Sequence, residues 1–191
     1  GKQAIVLVPE IALTSQIVKR FKAEFDSDVV VIHSKLSISE RNDVFTRIRT
    51  KDANIVIGAR SAIFAPLKNI GIIIVDEEHT SSYKQENNPR YSAIDVAKFR
   101  SSYHNCPLVL GSATPTIESY TRALRGEYTL VSLPNRYNGM DPDIEIIDMN
   151  KEFKKSNGYF SNILISEIKD VISKGEQVIL LLNKRGYSNI V

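Results

Sequence analysis

The stretch Ile72-Ile73-Ile74-Val75-Asp76-Glu77-Glu78-His79 decides the fold. A continuous apolar run ends abruptly in three acids and a histidine. Such a run predicts a strand buried on both faces, as in a parallel sheet. The acids then fall just past its carboxyl end, where open α/β sheets place their ligands. Two carboxylates there suit two tasks. One holds Mg²⁺, directly or through water, and the next orients or deprotonates an attacking water. This is the layout of a Walker B strand, with Asp76 on the metal side and Glu77 as the base. The same cluster also suits a solvated turn or the cap of a following helix.

Outward from this strand, apolar runs and amphipathic stretches alternate. Residues 4–8 read as a strand ended by Pro9. Residues 11–25 read as a helix with Ile17, Val18, Phe21 and Phe25 on one face. A strand follows at 29–32. Ser37 and Glu40 form a capping box that opens a helix to about Thr50. Strands at 54–57 and 70–75 come next. A helix from Ser92 to Tyr103 turns Ala93, Val96, Ala97 and Phe99 inward. A strand at 107–110 leads into Gly111-Ser112-Ala113-Thr114-Pro115, and a helix at 116–125 closes on Gly126. This alternation predicts an α/β domain, a parallel sheet with helices on both faces.

The pattern changes near residue 134. Residues 134–143 are rich in Pro, Asn, Gly and Asp and read as a linker or crossing loop. A short strand is expected at 144–147, a polar stretch at 150–158, a helix at 163–172 and an apolar strand at 177–182. That strand runs into Asn183, Lys184 and Arg185. The expected division is 1–133 for one lobe, 134–158 for the linker or crossing region and 159–191 for the truncated start of a second lobe.

Composition sets bounds around this order. The 191 residues suffice for one large domain, or one domain plus part of another, and 42% hydrophobic content suffices for a core. A net charge of +3 permits a polyanionic partner without requiring one. The single Cys106 excludes an internal disulfide and fits a reducing, cytoplasmic compartment. No apolar run approaches the roughly 20 residues of a membrane span. Residues 1–4 do not read as a signal peptide, because they lack an apolar core.

Unusual clusters follow several predicted strands: Pro9-Glu10-Ile11-Ala12-Leu13-Thr14, then Gly58-Ala59-Arg60-Ser61-Ala62-Ile63-Phe64-Ala65-Pro66, the acids themselves, and GSATP at 111–115. Clusters at successive strand ends line one edge of the sheet, and such an edge is a working surface. Arg60 suits phosphate and Gly58 allows close backbone approach, although an Arg after a strand also suits a plain surface; Ile63 and Phe64 read as core. Thr14 offers a hydroxyl, and a helix start near Ile11 offers free N–H groups for phosphate; on the spacing alone a plain strand-to-helix turn, with Pro9 near the first helical turn, is the favoured reading. Ser112 and Thr114 are placed to bond the carboxylates of Asp76, Glu77 or Glu78, or Thr114 caps the next helix with Pro115 at its first position. Between strand and helix, Tyr83, Lys84, Gln85, Arg90 and Tyr91 interleave aromatics with cations, which suits base stacking with phosphate contact. The alternative is tyrosines packed on the domain surface. His79 stands without an HExxH motif or a His/Cys cluster, so nothing here points to zinc.

Six stretches carry a resemblance: LVPEIALT at 7–14, GARSAIFAP at 58–66, VDEEH at 75–79, SSYKQENNPRYSAIDVA at 81–97, GSATPTIES at 111–119 and LLNKRGY at 181–187. In this order they resemble a DEAH-like superfamily 2 helicase motor, and more narrowly the bacterial primosomal helicases that restart replication. The resemblance implies a P-loop NTPase (RecA-like) lobe. It implies catalytic roles for Asp76, Glu77, Glu78 and His79, with Mg-ATP held through Asp76 and Glu77. It implies contacts to DNA from Pro9, Thr14, Arg60, Ser61, Tyr83, Lys84, Gln85, Arg90 and Tyr91. Ser112 and Thr114 become a coupling motif, and Asn183, Lys184 and Arg185 the first motif of the second lobe.

Departures from the family's pattern matter too. The chain has no GxxxxGK[ST] loop to cradle phosphates; in the family that loop lies a helix upstream of LVPEIALT. The arginine-bearing motif of the second lobe and the cysteines of the family's zinc-binding insertion are also missing. Zinc therefore belongs, by resemblance, to the parent protein, and no metal beyond Mg²⁺ at Asp76 is expected in this chain. The parent is expected to be an ATP-dependent 3′-to-5′ DNA helicase acting on single-stranded and forked DNA with primosome proteins and single-strand DNA-binding protein, away from membranes. The chain alone is expected to hydrolyse ATP poorly. Other superfamily 2 translocases, a non-hydrolysing DNA-binding module and a metal-dependent nuclease remain as alternatives.

Overall fold

The computed structural model describes residues 1–135, 143–152 and 160–181. The chain divides into two compact units, Gly1–Val131 and Ser132–Val191.

The first unit holds five parallel strands: β1 (Gln3–Leu7), β2 (Val29–Ile32), β3 (Ile55–Gly58), β4 (Ile70–Val75) and β7 (Leu108–Leu110). Their order across the sheet is β2-β3-β1-β4-β7. The register sets Val6 beside Ile57 on one side and Ile74 on the other. A separate two-stranded antiparallel ribbon, β5 (Lys84–Gln85) with β6 (Tyr91–Ser92), stands between β4 and the next helix.

β1 buries alternate side chains on opposite faces, as a central parallel strand should. Ile5 and Leu7 join a core with Ile73, Ile48 of α2 (Ile38–Thr50) and Ala93 and Ala97 of α3 (Ala93–His104). Val6 and Val8 join the opposite core, against Phe21 of α1 (Ser15–Phe25). Helices therefore cover both faces, as expected.

Several expected boundaries move. Residues 10–12 form a 3-10 turn, and α1 starts at Ser15 with Thr14 as its N-cap. The turn absorbs the residues after Pro9, so no helix N-terminus lies at Ile11. The capping box is present: the Ser37 hydroxyl accepts from the Glu40 N–H, and the Glu40 carboxylate accepts from the Ser37 N–H. The helix after β7 is α4 (Ile117–Leu124), and Gly126 ends it in the left-handed conformation at φ 78°. Three aromatics expected inside are exposed, Phe25 at 46%, Phe64 at 53% and Phe99 at 71%. On α3 the positions facing the sheet are taken by Ala93 and Ala97, which leaves Phe99 outside, while Phe64 packs edge-on against Tyr91.

In the second unit, α5 (Met149–Glu152) is a single turn and α6 (Asn162–Ser173) matches the helix expected at 163–172. The Ser161 hydroxyl caps α6 by accepting from the Leu164 N–H. Residues 144–147 and 177–181 form no strand. A strand needs a neighbour for its backbone hydrogen bonds, and the described residues of this unit supply none. Most of the expected linker, the end of the last strand, and Asn183, Lys184 and Arg185 lie outside the described residues.

Candidate functional site

Hydrogen bonds tie the carboxyl ends of the strands together. The Val8 N–H donates to the Gly58 carbonyl at 3.0 Å, the Asp76 N–H to Leu7 at 2.9 Å, and the Gly111 N–H to Val75 at 2.8 Å. The clusters after β1, β3, β4 and β7 consequently share one edge.

At the end of β4, Asp76 is exposed. Its Oδ1 accepts from the Glu77 N–H at 3.0 Å. Glu77 itself has φ 48°, in the left-handed region. A non-glycine residue there is strained by about 1–3 kcal/mol and persists only where its surroundings hold it. Both neighbours are pinned: Asp76 by Leu7, and Glu78 by its N–H to the Gly111 carbonyl at 3.0 Å. The kink leaves the Glu77 side chain 44% exposed, with Oε2 3.5 Å from His79 Nδ1. His79 Nδ1 also lies 2.7 Å from Ser112 Oγ. The acid cluster and the GSATP loop thus meet through the imidazole.

This differs from expectation in two respects. The side-chain partner of Ser112 is His79 rather than a carboxylate, and its Oγ also accepts from the Thr114 N–H at 3.0 Å. The cap of α4 is Thr116, not Thr114. Glu78 explains the shift. Its carboxylate is 3% exposed and accepts from the Thr116 N–H at 2.6 Å, the Thr116 hydroxyl at 3.3 Å and the Ser119 hydroxyl at 3.2 Å. Thr116 and Ser119 were not anticipated; they stand 38 and 41 residues from Glu78, and no local pattern links them.

A second group gathers around Arg60. Its Nη1 donates to the carbonyls of Lys84 at 2.7 Å and Ser82 at 3.3 Å. Its guanidinium lies over the Tyr91 ring at 5.8 Å, and that ring packs edge-on against Phe64 at 5.0 Å. Arg60 therefore braces the β5–β6 ribbon, and Ser61 beside it is exposed. Lys84 and Arg90 are exposed and Gln85 is partly so, with Arg90 Nε donating to the Glu86 carbonyl at 3.0 Å. Tyr83 is different. It is 1% exposed, and its hydroxyl donates to the Asp76 carbonyl at 2.7 Å. A ring sealed in the core cannot stack on a base, so the expected DNA contact from Tyr83 is corrected to an internal one. Burial first, then the charges of Asp76 and Glu77, push its phenol well above the usual tyrosine range.

After β1, Pro9 is buried, whereas Thr14 is exposed with its Oγ1 accepting from the Ile17 N–H at 3.4 Å. Gly58 allows a close approach, but to its own fold: a Cβ there would fall 2.2 Å from the Ile32 carbonyl oxygen and 2.6 Å from Ala62 Cβ. Arg100 of α3, also unanticipated, donates to the carbonyls of Ile63 at 2.5 Å, Ala65 at 2.9 Å and Leu67 at 3.3 Å. It fixes the turn that carries Arg60.

The donor set fits the metal side of a nucleotide site. The exposed carboxylate of Asp76 suits a hydrated hard cation, and Gly111 lies beside it, a Cβ there falling in ordinary contact with Asp76 Oδ1 at 3.8 Å. The chain offers no phosphate-cradling glycine loop. Among the described residues, no group of three or more His, Cys, Asp and Glu side chains converges to enclose a metal, and no helix is long and apolar enough to cross a membrane.

Comparison with known proteins agrees with this geometry. The DEAD/DEAH box helicase family matches residues 1–123. The whole chain is 54% identical to Replication restart protein PriA of Bacillus subtilis, covering 24% of that protein. It is 43% identical to the protein of that name in Rickettsia felis, covering all of this chain and 30% of the relative. Identity is 48% with the Chlamydia pneumoniae protein, over 98% of this chain and 26% of the relative. The chain spans between 24% and 30% of the length of these relatives. With the family matched across the five-stranded sheet and its strand-end clusters, the chain belongs to the DEAD/DEAH box helicase family.

Proposed function

We propose that this chain is most of the first motor lobe, with the start of a second, of a longer ATP-dependent DNA helicase that restarts replication at stalled or branched forks. The observation that carries it is the His79–Ser112 contact of 2.7 Å, which joins the acids after β4 to the loop after β7. Asp76 would hold Mg²⁺ through its exposed carboxylate. Mg-ATP, when bound, supplies the phosphoanhydride whose hydrolysis drives movement. Glu77 Oε2 would take the proton of the attacking water, with His79 Nδ1 3.5 Å from it.

The DNA side comprises Thr14, Arg60 and Ser61 for the strand's backbone and Lys84, Gln85, Arg90 and Tyr91 for the ribbon; Pro9, which is buried, shapes the turn before Thr14. Support comes from the Arg60 bonds to the Ser82 and Lys84 carbonyls, which place both motifs in one braced surface. Asn183, Lys184 and Arg185 are assigned to the second lobe by motif alone. Polarity is 3′-to-5′, the setting is the cytoplasm, and primosome proteins and single-strand DNA-binding protein are the partners. This chain alone hydrolyses ATP very poorly, since no phosphate cradle is present.

The test is unwinding by the longer protein of forks that differ only in which tail is single-stranded. Unwinding of the 3′-tailed substrate, dependent on ATP, is expected. Equal unwinding without ATP, or unwinding of the 5′-tailed substrate only, contradicts the proposal.

A further inference from the structure

Glu78 makes bonds to both ends of one loop. Its N–H donates to the carbonyl of Gly111, where the loop leaves β7. Its carboxylate accepts from the N–H and hydroxyl of Thr116, where the loop enters α4, and from Ser119 in the first turn. Thr116 is also the helix cap, its Oγ1 accepting from the Ser119 N–H at 3.2 Å. A single buried residue therefore sets the span of 111–116, and that loop presents Ser112 to His79.

We infer that Glu78 is a positioning residue: it clamps the 111–116 loop so that Ser112 meets His79, and through that contact it governs DNA-stimulated hydrolysis without touching nucleotide. Three observations favour this over the catalytic role that the resemblance implied for Glu78, which is thereby replaced. Its carboxylate is 3% exposed, both of its oxygens accept hydrogen bonds from the protein, and a carboxylate at a helix start is favourably placed against the free N–H groups. The two acids that precede it differ: Asp76 is exposed and the Glu77 side chain is 44% exposed. The inference rests on the proposed motor function, so its test carries an arm independent of turnover.

Chemistry separates a clamp from a catalyst here. In Glu78→Gln the amide oxygen still accepts from the Thr116 N–H, and the amide nitrogen can donate to the Thr116 and Ser119 hydroxyls. A clamp survives that exchange, whereas a base or metal ligand does not. In the longer protein, Glu78→Gln should keep DNA-stimulated ATP hydrolysis within about threefold of wild type. Glu78→Ala should lose stimulation by roughly tenfold or more, with the nucleotide KM little changed. Ser119→Ala, the milder variant should Glu78→Ala fail to fold, should fall between them. Amide hydrogen exchange across 111–119 should speed up in Glu78→Ala and stay slow in Glu78→Gln.

Glu78→Gln as inactive as Glu77→Gln would overturn the inference, because charge rather than shape would then matter. So would Glu78→Ala with wild-type stimulation and unchanged exchange. If instead wild type shows no DNA-stimulated hydrolysis, or Glu77→Gln retains it, the motor function itself fails, while the exchange arm still reports on the clamp.

Discussion

The phenol of Tyr83 donates a 2.7 Å hydrogen bond to the backbone carbonyl of Asp76. The first acid after β4 and the loop braced by Arg60 are thereby joined through one buried side chain. Tyr83→Phe keeps the ring and orphans the carbonyl. Loss of a buried hydrogen bond of this kind lowers stability by about 1–3 kcal/mol, read as a lower urea midpoint with unchanged m-value.

The same residue predicts a pH dependence. Its folded-state ionisation is displaced upward, by burial first and then by Asp76 and Glu77. The unfolded chain releases this proton near pH 10 while the folded chain keeps it. Stability from Tyr83 is therefore fully present below about pH 10 and declines as pH rises above it. Denaturation midpoints at neutral and alkaline pH should show a smaller alkaline decline in Tyr83→Phe than in wild type. An equal decline contradicts the assignment.

Gly58→Ala should destabilise by about 1–3 kcal/mol through overpacking. The new methyl would meet the Ile32 carbonyl oxygen at 2.2 Å, which is backbone of the neighbouring strand. Thermal melting of the two chains checks it. An unchanged melting temperature would mean that the β2–β3 edge yields freely.

Arg100 supplies donors to the carbonyls of Ile63, Ala65 and Leu67. Arg100→Met leaves these acceptors without that partner and should cost about 2–4 kcal/mol, since bonds to a charged donor are the stronger class. Arg100→Lys, with one compact donor group, should recover part of the loss. Full recovery by Lys would show that charge, not the fork of the guanidinium, holds the turn.

The legible parts of this chain were those encoded over short distances. The apolar runs at 29–32 and 70–75, the Ser37–Glu40 box and Gly126 after α4 each carry their structure within a few residues. The acids after β4 were placed correctly because a strand end is itself a local feature. Partners chosen across the fold were not legible. Glu78 draws the cap of α4 from Thr114 to Thr116, and Tyr83, polar and loop-borne, is sealed by a carbonyl seven residues away. Phe64 and Phe99 show the converse: their apolar character says nothing of whether the core has room.

Lys84 is exposed on the ribbon that Arg60 braces. If the ribbon tracks a single strand, Lys84→Ala in the longer protein should weaken DNA binding and flatten its salt dependence by about 0.7 in log–log slope, the value for one phosphate contact on single strands. Titrations at several salt concentrations measure it. An unchanged slope removes Lys84 from the interface.

Glu77, the kinked acid after β4, is proposed as the base of a DNA-driven motor. The direct measurement is ATP hydrolysis by the longer protein with and without single-stranded DNA, comparing wild type with Glu77→Gln, alongside nucleotide and DNA binding. Hydrolysis should fall by about 10²-fold or more, the usual contribution of a general base, with both ligands still bound. Hydrolysis at the wild-type rate in Glu77→Gln would contradict the account.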